Sequence, residues 1–126
     1  MHHLIFFIDS NAGDSGYRFV EAVRQRFATV SSEVFQTLRD LETWLRNKEA
    51  GIFGMRIIVL FADTRSCLDR LEASADLMDG EQVILLLPDS EKTTLEKAQR
   101  LRPRYFGFSS GPFDDVCDVI TKMLRR

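Results

Sequence analysis

Three stretches of the chain are apolar without interruption: LIFFI at Leu4 to Ile8, RIIVLFA at Arg56 to Ala62 and QVILLL at Gln82 to Leu87. A strand with one wet face alternates apolar and polar side chains. Runs without that alternation are buried on both faces, as central strands of a parallel sheet are when helices cover both sides. Two weaker runs complete a set of five strands, SEVFQ around Val34 and RYFGF at Arg104 to Phe108.

Between the strands the apolar residues change period. Phe19, Val20, Val23 and Phe27 fall on one helical stripe, and Leu38, Leu41 and Leu45 on a second. Cys67, Leu68, Leu71 and Ala75 form a third stripe, with Leu95, Ala98 and Leu101 a fourth. Val116, Val119, Ile120, Met123 and Leu124 make the fifth. Ser15, Thr37, Ser66, Ser90 and Asp114 stand where helix-capping residues are expected, and Gly51 and Gly54 punctuate the exit from the second helix. Five strand-then-helix units with right-handed crossovers predict an α/β fold. It is a three-layer, doubly wound parallel sheet in the order 2-1-3-4-5, forming a single domain over residues 1–126. In that order ligands sit beyond the carboxyl ends of the first and third strands, which Asp9 and Asp63 terminate.

Composition narrows the function classes. At 126 residues, 44% hydrophobic and 29% charged, the chain matches ordinary globular proteins. A net charge of -2, with cations spread among the acids, gives no electrostatic footprint for nucleic acid or an anionic membrane. LIFFI is too short for a signal-peptide core, and no apolar run reaches the length of a membrane span. Cys67 and Cys117 lie far apart without CxxC or Cys/His company, which argues for reduced core thiols and against zinc. A cytoplasmic location is expected.

LIFFIDSN, VILLLPDSEKT and YFGFSSGPFDDVCDVITKMLRR resemble the first strand, the fourth strand with its loop, and the last strand and helix of response regulator receiver domains. The likeness runs along essentially the whole chain, and it implies a two-component signalling role and the topology also seen in flavodoxins. An active receiver takes phosphate on an aspartate at the end of the third strand, with Mg2+ held by that acceptor and an acidic pair. A Ser or Thr and a Lys hold the phosphoryl oxygens.

Carried over residue by residue, the acidic pair becomes Asp9 and Ser10. The acceptor falls on Phe61, or on Asp63 with a two-residue shift that moves it about 6 to 7 Å outward. The hydroxyl position is Leu87, and the Lys position is Gly111 within SSGPF. The resemblance therefore implies a pocket of Asp9, Ser10, Leu87, Ser109, Ser110 and Gly111 with no cation beside it. Asp9 is the candidate Mg2+ ligand and Asp63 the candidate phosphoacceptor. Phe108 occupies the place of the receiver's aromatic switch and is expected to be fixed, because Leu87 offers no hydroxyl to draw it inward. The comparable turn in receivers is commonly cis, so the resemblance allows a cis Gly111-Pro112 bond.

The function implied is an atypical, non-enzymatic receiver that acts independently of phosphorylation. It would bind a protein partner, or a second copy, through the surface of the fourth helix, fifth strand and fifth helix, with Tyr105, Phe106 and Phe108 on that face. Three other readings stand beside it. One is a conventional receiver phosphorylated on Asp63. Another is a small-molecule sensor using the cleft beside Asp9 and Ser109. The last rests on SNAGDS, Ser10 to Ser15, which is similar to the phosphate loop of flavodoxins and would imply FMN. Against it, an Asp14 carboxylate about 5 Å from a phosphate would oppose binding by roughly 3 kcal/mol per unit charge, more than a helix N-terminus returns.

Overall fold

The computed structural model describes residues 2–47 and 55–125, so Gly51 and Gly54 lie outside the described residues. In chain order the elements are β1 (His2–Ile8), a 3-10 turn (Ser10–Ala12), α1 (Gly13–Arg26), β2 (Ser31–Phe35), α2 (Leu38–Arg46) and β3 (Met55–Phe61). There follow α3 (Arg65–Ala73), a second 3-10 turn (Ala75–Met78), β4 (Gln82–Leu87), α4 (Lys92–Arg100), β5 (Tyr105–Phe108) and α5 (Asp114–Leu124). All four strand pairings are parallel and the order is β2-β1-β3-β4-β5. The three-layer doubly wound sheet expected from the apolar runs is the fold.

Alternation within each strand divides the core in two. Leu4, Phe6, Ile8, Ile57, Val59, Phe61, Ile84 and Leu86 face α1 and α5, meeting Phe19, Val20, Val23, Val116 and Ile120. Ile5, Phe7, Ile58, Leu60, Val83, Leu85 and Leu87 face α2, α3 and α4, meeting Leu41, Leu45, Leu68, Leu71 and Ala98. Both sets are buried, and each such side chain contributes about 1.5 to 3 kcal/mol of transfer free energy. The sheet and α1 come close at Gly16, where an added Cβ would lie 2.3 Å from Cγ2 of buried Ile8. Only glycine fits that crossing.

Helix starts differ more from expectation than strands do. Thr37 caps α2 as expected, its hydroxyl accepting from the Asp40 N–H at 3.2 Å. Ser15 is not a cap: the 3-10 turn advances the start of α1 to Gly13, and the Ser15 hydroxyl donates to the Ala12 carbonyl. Thr64, not Ser66, caps α3 by accepting from the Cys67 N–H at 3.1 Å. Before α4 the anchoring group is Asp89 instead of Ser90. Its carboxylate accepts from the Glu91 N–H at 3.0 Å, the Thr94 hydroxyl at 2.6 Å and the Arg65 Nε at 2.9 Å. The Thr94 hydroxyl, then Arg65 and the Glu91 N–H, pull its pKa down to about 2. Asp114 is the first residue of α5, and Phe113 precedes it without a side-chain cap. Three helical stripes overrun their helices. Phe27 and Leu101 follow α1 and α4 as C-caps, and Ala75 belongs to the separate turn after α3.

Candidate functional site

Ile8 lies beside Phe61 in the register of β1 and β3, so Asp9 and the Ala62-Asp63 segment leave the sheet next to each other. Asp9 is 7% exposed. Its Oδ1 accepts from the Asn11 N–H at 3.1 Å and, at 3.5 Å, from the Ser10 hydroxyl. Its Oδ2 accepts from the guanidinium of Arg70 on α3, forming an ion pair. Burial by itself would raise the Asp9 carboxyl, but the Asn11 N–H, Arg70 and the Ser10 hydroxyl together hold it below the ordinary carboxylate value. The expectation of a cleft without a cation is therefore corrected: Arg70 reaches it from the third helix.

Asp63 lies past the end of β3 and is partly buried, while the adjacent Thr64 takes the capping role. It is close enough for its charge to raise both the Cys67 thiol and the Arg70 guanidinium. Cys67 is 1% exposed, and burial, with the Asp9 charge next, pushes its thiol up to about 12, so it remains protonated and inert.

The other strand ends are apolar. Phe61 is fully buried and stacks on Phe19 with ring centroids 5.4 Å apart, and Phe113 meets Phe19 edge-on at 4.9 Å. Leu87 is also fully buried, but on the opposite face of the sheet, among the side chains packed under α4. Phe61 and Leu87 thus do not share a pocket. Ser109 and Ser110 lie in the turn after β5, where the Ser109 N–H donates to the Leu87 carbonyl and the Gly111 N–H to the Phe108 carbonyl. The Gly111-Pro112 bond is cis, and Gly111 has φ +85°, a conformation that strains any residue with a Cβ, lysine included.

The first three amides of the SNAGDS loop are spent internally. The Ser10 N–H donates to the Gln36 carbonyl at 3.1 Å, the Asn11 N–H to Asp9, and the Ala12 N–H to the Asp9 carbonyl at 2.8 Å. A phosphate at these three amides would have to displace those acceptors. Trp44 packs against Phe35 and lies beneath the Arg56 guanidinium, 4.8 Å from its ring centroid.

The three aromatics grouped on β5 separate by strand alternation. Phe106 and Phe108 share one face in an edge-on contact at 6.4 Å, with Phe108 set against the core under α4. Tyr105 packs against the α1 and α5 side. Phe106 is 46% exposed and borders a groove of about 310 Å3 with Leu95, Ala98, Gln99, Arg102 and Pro103.

Arg70 and Phe113 are the site residues that sequence reasoning missed. Arg70 stands beside the apolar stripe of α3 like any solvated flank residue. Phe113 lies in the GPF turn, outside every periodic segment. Neither spacing signals the contact the residue makes, Arg70 with Asp9 and Phe113 with Phe19.

Among the described residues no three His, Cys, Asp or Glu side chains are gathered as a metal site would require, and no described helix is long and apolar enough to cross a membrane. Comparisons with family models, curated proteins and solved structures returned no match.

Proposed function

We propose that this chain is a receiver-like signalling module that works by binding protein, without taking phosphate on an aspartate. The observation that carries this reading is the burial of Phe61 and Leu87 on opposite faces of the sheet, at the two strand ends where the chemistry needs a carboxylate and a hydroxyl. A phenyl ring has no lone pair to attack phosphorus, and an isobutyl group has no proton to donate to a phosphoryl oxygen. The positive φ of Gly111 adds that the backbone there disfavours a lysine. Contact with a partner, or with a second copy, falls to the half-exposed Phe106 and the groove between α4 and β5, because a large exposed ring beside a concavity favours docking.

Incubation with acetyl phosphate and magnesium followed by intact-mass measurement tests the reading. An unmodified mass is expected. A stoichiometric phosphate adduct that disappears in Asp63→Asn would overturn it in favour of a displaced acceptor.

A further inference from the structure

The receiver resemblance implies a magnesium ion, and the residues around Asp9 do not fit one. Mg2+ demands near-ideal octahedral oxygen coordination and is reluctant to shed water, so it binds where carboxylate oxygens are open. Both oxygens of Asp9 are already engaged: Oδ1 accepts from the Asn11 N–H and, at 3.5 Å, from the Ser10 hydroxyl, and Oδ2 from Arg70. Asp9 is 7% exposed, so an approaching ion would have to displace these donors at close range. Arg70 is anchored on α3 with a side chain 51% exposed, held by the fold within reach of a single carboxylate. A tethered cation of this kind competes as though present at millimolar concentration or above, and a guanidinium matches a carboxylate with directed N–H donors.

We propose that the Arg70 guanidinium is the resident counter-ion of Asp9 and keeps divalent cations off it, so that the cleft supplies its own positive charge and does not respond to magnesium. Arg70 is a positioning residue in this arrangement. It balances the Asp9 charge while Asp9 holds the Asn11 N–H and fixes the turn that begins α1. The proposal concerns the same cleft as the functional reading but does not depend on what the protein binds.

The test is a Mn2+ titration followed by paramagnetic broadening of backbone amide resonances in the whole chain, comparing wild type, Arg70→Met and the double variant Asp9→Asn/Arg70→Met. Wild type is expected to show no selective broadening at Asn11. Arg70→Met should gain it with an affinity at least about tenfold above wild type, and the double variant should lose it again. In parallel, magnesium at its dissociation constant should raise the melting temperature of Arg70→Met by roughly 2 °C and leave wild type unmoved.

Selective broadening at Asn11 in wild type would overturn the proposal, and so would an Arg70→Met variant that gains none. If Arg70→Met does not fold, the wild-type titration alone decides, with the exposed Asp118 as the internal reference for non-specific association. A wild type that binds Mn2+ at Asp9 yet takes no phosphate would sink this inference and leave the functional reading standing.

Discussion

β1 and β3 are neighbours in the sheet, and their carboxyl ends are closed by opposite means. β1 ends at a buried carboxylate neutralised by an arginine, whereas β3 ends at a buried phenyl ring stacked on Phe19. The first closure is electrostatic and depends on the protonation of one group. The second is apolar and indifferent to pH. The difference teaches that topology sets where the two strand ends meet, while the side chain that follows decides whether the end is closed by charge pairing or by packing.

The largest effect is expected at the apolar end. Phe61→Ala removes a fully buried ring from the cluster with Phe19 and Phe113, and should cost about 3 to 5 kcal/mol in denaturant unfolding, equally at neutral and at acid pH. A loss below about 1 kcal/mol would mean that the ring is not packed as described.

At the charged end the effect is smaller and depends on pH. Arg70→Met leaves a buried Asp9 carboxylate without its counter-ion, and should cost about 1 to 2 kcal/mol, less than for a fully buried pair because Arg70 is half exposed. The Asp9 pKa is lowered in the folded state, so its stabilising contribution is present above the ordinary value of 3.8 and is lost as pH falls through the lower folded value. The difference between wild type and Arg70→Met should therefore shrink in acid, while the Phe61→Ala difference should not. A pH-independent Arg70→Met difference would refute the electrostatic account of this strand end.

The smallest effect is expected where the same chemistry is exposed. Lys97 and Asp69 pair across α3 and α4 at 2.5 Å, with side chains 36% and 53% exposed. Lys97→Met should change stability by no more than about 0.5 kcal/mol, by thermal melting, because water and salt screen such pairs. A cost equal to that of Arg70→Met would show that burial is not what separates the two pairs.

The sheet was legible because burial on both faces leaves a one-dimensional trace. The run Gln82 to Leu87 is β4 to the residue, and the helical stripes appear as the two layers of the core. Cap positions were less legible. Ser15, Ser66 and Ser90 have suitable chemistry, but the hydroxyl or carboxylate that meets a free N–H depends on where the preceding turn brings the chain, and those groups are Asp9, Thr64 and Asp89. Of the candidate cleft, Asp9 was read from its place after the first apolar run. Its partner was not, because nothing local distinguishes Arg70 from the other solvated flank residues of α3.

The amino-acid pattern by itself determined the number of strands, their burial and thus the three-layer arrangement, since periodicity is a property of neighbours along the chain. Only the tertiary structure decided that Arg70 meets Asp9 across 61 positions, that Phe113 closes on Phe19, and that Phe106 and Tyr105 face opposite ways. Such meetings depend on how far each helix extends past the edge of the sheet and at what rotation, and that is settled by the packing of both core layers at once.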